Sequence, residues 1–156
     1  FMNRTFTGRV DIEKIKAIRD MWKGKLVLKG VVTEEDMRAC IEMGVDGVIV
    51  SNHGGRQVDA GESSIASLQR LAKDPEFTNK ITIMMDGGLR SGPDIGRALA
   101  SGAEFAFMGR PFMYGVGALG TKGGDHTIAM FKAQLKQVME QISCEKIVDF
   151  PHSLIK

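Results

Sequence analysis

The sequence predicts an α/β protein built on a parallel sheet, and three observations carry that prediction. Short apolar runs alternate with longer amphipathic ones, glycines mark the joins, and the apolar runs lack the polar alternation of a half-solvated strand. Strands that read apolar throughout are expected to be covered on both faces, which parallel sheets achieve with crossover helices.

Each element has its own signal. Asp11 is the expected N-cap of a helix reaching Met21 or Trp22, with Ile12, Ile15 and Ile18 on one stripe. Leu26-Val27-Leu28 makes the first strand, with Lys29-Gly30 at its end. Thr33 before Glu34-Glu35-Asp36 is an N-cap with first-turn acids, opening a helix that stops at Gly44. Val48-Ile49-Val50 is the second strand. Beyond a turn through Arg56, a helix is expected from Ser63 or Ser64 to Lys73. Ile81 to Met85 is the third strand, Asp86-Gly87-Gly88 its turn, and Pro93 to Ser101 the helix, with proline suited to a first turn. Ala103 to Met108 makes the fourth strand. A long helix, Asp125 to Ile142, follows, with Ile128, Phe131, Leu135, Val138, Met139 and Ile142 at helical spacing. Without a Pro/Ser-rich break, residues 1–156 are expected to form one unit.

Composition narrows the function classes. A chain of 156 residues, 43% hydrophobic and 26% charged, has the make-up of a globular domain and not of a disordered segment. Twenty-one basic against 19 acidic residues leaves +2, and the basic residues are scattered along the sequence, so no nucleic-acid partner is expected. No apolar run approaches the roughly 20 residues needed to cross a bilayer. The expectation is a cytoplasmic protein, with membrane association or an organelle left open. Cys40 and Cys144 lack the spacing of a zinc site or a disulfide framework, so both are expected to be packing residues and no metal is expected. His126 and His152 are expected at the surface.

The chemistry-bearing residues gather at the C-terminal ends of the strands, where α/β sheets and barrels place ligands. Asp86-Gly87-Gly88-Leu89-Arg90 and Gly109-Arg110 resemble a phosphate cradle, with glycines for close backbone approach, an arginine at each, and a helix N-terminus next in the chain. Either turn alone could be only a tight turn; two on successive strands say more. His53 and Arg56 share a loop past the second strand, where an imidazole can face a ligand and a guanidinium can fork a carboxylate. The plain alternative for His53 is a hydrogen-bonded loop residue. Lys29 at a strand end needs an anion or an electron-rich ligand atom, and a structural salt bridge is its plain alternative.

Together, Leu28-Lys29-Gly30, Ser51-Asn52-His53-Gly54-Gly55-Arg56-Gln57, Asp86-Gly87-Gly88-Leu89-Arg90 and Gly109-Arg110-Pro111 resemble the FMN-dependent 2-hydroxy-acid dehydrogenase and oxidase family, which includes glycolate oxidase, L-lactate dehydrogenase and mandelate dehydrogenase. The resemblance runs from Asp11 to Ile147. It implies a (β/α)₈ TIM barrel, of which these four βα units match the C-terminal half, with the N-terminal half expected outside this sequence. It implies that FMN is the cofactor and a small 2-hydroxy acid the substrate. Lys29 would contact the flavin near N1 and O2 and stabilise negative charge on reduced FMN, Ser51 would lie against the flavin or its ribityl chain, and Asp86 would bind ribityl hydroxyls. Gly88, Arg90, Gly109 and Arg110 would hold the phosphate, His53 would be the base and Arg56 the carboxylate clamp. Both hydride transfer and a carbanion route fit these residues.

In that family two substrate-facing tyrosines and the aspartate that orients the histidine come from the N-terminal half; Tyr114, the single tyrosine, matches neither tyrosine. The intact protein is expected to be a homo-oligomer, and the isolated chain to be inactive and to need its other half or a second chain. Two alternatives stand beside this reading. One is another phosphate-binding barrel, of the type 2 isopentenyl diphosphate isomerase or inosine monophosphate dehydrogenase kind, which the His-Gly-Gly-Arg-Gln segment fits less well. The other is a half-barrel that binds flavin or phosphate without turnover.

Overall fold

The computed structural model describes residues 10–153, so both ends of the expected 1–156 unit lie outside the described residues. Four parallel strands, β1 (Val27–Val31), β2 (Gly47–Val50), β3 (Thr82–Met85) and β4 (Phe105–Ala106), pair in the order β1-β2-β3-β4. The helices are α1 (Ile12–Met21), α2 (Glu34–Glu42), α3 (Ser64–Leu71), α4 (Pro75–Thr78), α5 (Gly92–Ala100), α6 (Arg110–Leu119), α7 (Gly123–Gln141) and α8 (Phe150–Ser153). Parallel neighbours need a crossover, and right-handed crossovers between strands taken in sequence order put the helices on one face.

Burial follows that arrangement. Val48, Val50, Ile83 and Met85 are at most 1% exposed and pack with Met37, Leu68, Leu71 and Phe77 into the main core. The alternate row, Lys29, Ile49, Met84 and Phe105 in register, faces the other way. Phe105 is 57% exposed, Val27 is exposed, and Ile49 and Met84 are only half-buried. The expectation of strands covered on both faces is therefore corrected. Both faces are apolar, which erased the polar alternation in the sequence, but among the described residues only one carries helices. Three helices begin at expected caps: Asp11, Thr33 and Ser63 each accept a hydrogen bond from the first turn. Cys40 and Cys144 are buried, and burial, reinforced by Asp36, pushes the Cys40 thiol up to about 11. His126 and His152 are exposed.

Other elements depart from expectation. The stripe on α1 is not sunk, since Ile15 is buried while Ile12 and Ile18 are exposed. Polar contacts hold that helix instead. Arg19 donates to Asp46 Oδ2 at 3.0 Å, to the carbonyls of Gly24 at 2.7 Å and Gly44 at 3.3 Å, and to that of Trp22. β4 is two residues long, not six. It is a pairing on one side only, although the N–H groups of Glu104 and Phe107 still bond to the carbonyls of Ile83 and Met85 at 2.8 Å.

The helix given bounds from the sequence after the fourth strand begins only at Asp125, whereas α6 starts directly at Arg110 although Gly115 and Gly117 each cost about 1 kcal/mol of helix propensity. Packing overrides propensity there. A Cβ on Gly115 would lie 2.1 Å from Thr127 Oγ1, and one on Gly123 would lie 2.2 Å from the Gly115 carbonyl, so the two helices meet backbone to backbone.

Candidate active site

The C-terminal ends of the four strands converge. Every residue predicted for the site except Ser51 lines one cleft of about 280 Å³. Ser51 sits behind it, 4% exposed, accepting from Lys29 Nζ at 2.8 Å and from the His53 N–H at 3.1 Å. Four cations, Lys29, Arg56, Arg90 and Arg110, face this cleft against a single carboxylate, Asp86. Scattered along the sequence, these basic residues are clustered in space, and a chain of net charge +2 thus presents a strongly positive pocket suited to anions.

Lys29 lies within β1, which continues to Val31, and its side chain is 44% exposed. It pairs with Asp86 Oδ2 at 3.0 Å, the plain alternative for this lysine. That contact leaves Asp86 Oδ1 buried and without a hydrogen-bond partner. An unpaired buried acceptor costs about 1–3 kcal/mol, which a ligand hydroxyl donating there would recover.

The His53 loop is a single 3₁₀ turn, His53–Gly55. His53 has φ +56°, the left-handed region, which costs a non-glycine residue about 1–3 kcal/mol and recurs at active sites. Three contacts hold it. The Asn52 side chain accepts from the Gly54 N–H at 2.9 Å, Ser51 takes the His53 N–H, and Arg110 donates to the Gly54 carbonyl at 3.2 Å. The last contact ties the His53 loop to the turn after β4. The imidazole is exposed and takes no hydrogen bond among the described residues.

The two helix N-termini beside the arginines differ. At α5 the donors are taken: Ser91 accepts the Asp94 N–H, Asp94 accepts that of Arg90 at 3.0 Å, and Gln134 accepts that of Gly92 at 2.7 Å. This corrects the reading of that helix end as part of a phosphate cradle. At α6 the cap residue is Gly109, no side chain caps the helix, and a Cβ on Gly109 or Gly88 would meet nothing within 4 Å. The groups left open to the cleft are the glycine turn after β3, the uncapped start of α6, and the two guanidiniums, a set suited to an anion. Arg90 stacks 5.5 Å from the Tyr114 ring centroid, a partner the sequence did not announce.

The model of a family described as FMN-dependent dehydrogenase matches residues 1–156. The chain belongs to the FMN-dependent dehydrogenase family. Members similar to it include the L-lactate dehydrogenase of Bartonella tribocorum, 36% identical over 96% of this chain and 40% of that protein. The (S)-mandelate dehydrogenase of Pseudomonas putida is 40% identical over 94% of this chain and 36% of its own length. Among solved structures, mandelate oxidase with benzoyl-formic acid superposes with a TM-score of 0.87 at 31% identity, over 92% of this chain and 42% of that one. The chain spans about two-fifths of the length of the family members it matches. Family membership fits the α/β sheet of four parallel βα units and makes FMN the cofactor of the relatives' chemistry. No helix among the described residues is long and apolar enough to cross a membrane.

Proposed function

We propose that this chain is the C-terminal half of a (β/α)₈ barrel that oxidises a small 2-hydroxy acid, of the lactate, glycolate or mandelate type, to the 2-oxo acid with FMN. The observation that carries this reading is the single cleft in which His53 and Arg56 meet Asp86, Arg90 and Arg110. The uncovered row Ile49, Met84 and Phe105 is the surface that four further βα units would close.

The residues fit the cofactor. Gly88, Gly109 and the guanidiniums of Arg90 and Arg110 would hold the phosphate, the unpaired Asp86 Oδ1 would accept a ribityl hydroxyl, and Ser51 and Lys29 would border the ring. FMN supplies the two-electron acceptor. The chain's own groups then have separate tasks. Arg56 forks the substrate carboxylate and fixes its orientation, a task for a planar guanidinium. His53 takes a proton from the hydroxyl or from the α-carbon. Lys29 holds negative charge at the ring edge, its own charge tempered by Asp86. The orienting carboxylate for His53 would come from the other half of the barrel, so the isolated 156-residue chain would not turn over, and the intact protein would assemble as a homo-oligomer.

The test is anaerobic mixing of the complete FMN-loaded protein with L-lactate, glycolate or (S)-mandelate while the flavin absorbance is followed. At least one acid should bleach it, and His53→Gln should slow bleaching by about 10²- to 10⁴-fold with the flavin still bound. Failure of every 2-hydroxy acid to bleach the wild-type flavin would overturn the assignment.

A further inference from the structure

The strained His53 turn rests on a residue outside the cleft. Two serines open α3, and they do different work. Ser63 is the cap, its side chain accepting from the Ala66 N–H. Ser64 turns inward, is 3% exposed, and meets Asn52 twice: its Oγ accepts the Asn52 N–H at 3.0 Å and donates to Asn52 Oδ1 at 3.1 Å. The same Oδ1 accepts the Gly54 N–H at 2.9 Å, so both residues flanking His53 are fixed through one hydroxyl. Gly87, beside Asp86, leaves the pair its room: a Cβ there would sit 2.8 Å from Ser64 Oγ and 3.0 Å from Asn52 Oδ1.

We infer that Ser64 is a positioning residue: through Asn52 it holds His53 in its left-handed conformation and so sets the imidazole's place over the reacting centre. The inference rests on the proposed reaction for its kinetic consequence, and on the hydrogen bonds alone for its structural one. A hydroxyl in this role must both accept and donate, because Asn52 presents one backbone donor and one side-chain acceptor to it. Alanine removes both functions and leaves the Asn52 N–H without its partner. Threonine restores them.

The test uses the complete FMN-loaded protein with Ser64→Ala and Ser64→Thr, and Ser64→Cys, which keeps the shape but hydrogen-bonds poorly, should alanine not fold. Three readouts are taken: steady-state kinetics per bound flavin, amide hydrogen exchange at His53 and Gly54, and the double variant with His53→Gln. Ser64→Ala should keep its flavin and hold KM within about twofold while kcat falls about 10- to 100-fold, the penalty of a misplaced base. The two amides should exchange faster, Ser64→Thr should recover both properties, and Ser64→Ala should add nothing on top of His53→Gln. Wild-type kcat, unchanged exchange, or a full additive loss in the double variant would overturn the inference. If no 2-hydroxy acid reduces even the wild-type flavin, the reaction assignment falls, and exchange at Gly54 still decides whether Ser64 holds the loop.

Discussion

The two edges of the sheet are built from similar residues to opposite ends. At the N-terminal edge Asp46 accepts from Lys25 at 2.8 Å, from the Leu26 N–H at 2.9 Å and from Arg19 at 3.0 Å, while Arg19 also binds three carbonyls. At the C-terminal edge Asp86 has one ion pair and one buried oxygen without a partner, and His53 sits at φ +56°. Each edge has a carboxylate among several cations, but only one has its hydrogen bonds complete. A closed network of this kind ties elements together, here α1 to the starts of β1 and β2. An open network facing a cleft stays less stable until a ligand completes it. The same chemistry thus closes one edge and leaves the other open to the cleft, and the difference lies in which polar atoms are left over.

The largest effect expected from breaking this contrast is on the closed side. Arg19→Met should lower the unfolding free energy by about 2–3 kcal/mol, since it removes charged hydrogen bonds from a side chain that is only 20% exposed. Flavin affinity of the molecules that remain folded should not change. Denaturant titration with FMN binding measured in parallel checks both, and a loss of affinity would mean that the edges are coupled.

A smaller effect is expected from pH. The Lys25 ammonium first, then the Leu26 N–H and Arg19, hold the Asp46 carboxyl down at about 2, from an ordinary 3.8. A folded-state value below the unfolded one adds stability that is complete above the unfolded value and is lost as pH falls through the folded one. The stability gap between the wild type and Asp46→Asn should therefore be constant above about pH 5 and close between about pH 4 and pH 2. A gap that persists undiminished at pH 2 would show that the carboxylate charge is not what holds this edge.

Much of the fold was legible because its signals are local. Asp11, Thr33 and Ser63 cap where they were expected to cap, and the apolar runs around Val48 and Ile83 are the central strands. What escaped the sequence depends on contacts between distant residues. The start of helix α6 is obscured by its glycines, and the purpose of Gly115, close contact with α7, is visible only once Thr127 is placed against it. Lys29, Arg56, Arg90 and Arg110 were legible as one group at the strand ends, but that Lys29 pairs with Asp86 and leaves one of its oxygens buried without a partner was not. The α5 N-terminus looked open for an anion, but Gln134, 42 residues away from Gly92, fills it. The motif residues were legible one by one; their partners, Ser64 behind His53 and Tyr114 beside Arg90, were not.

The most direct test of the contrast between the edges is a pair of isosteric changes read in one assay. Asp86→Asn and Asp46→Asn are compared by thermal unfolding of the complete protein, with FMN removed and with FMN added. Ligand binding to the folded state alone raises the midpoint, so the shift on adding FMN reports recognition and the midpoint without it reports stability. Asp46→Asn should lower the midpoint without FMN and keep the FMN shift whole, whereas Asp86→Asn should leave that midpoint near the wild-type value and lose most of the shift. An Asp86→Asn protein that melts early without FMN yet keeps its full shift would contradict the account.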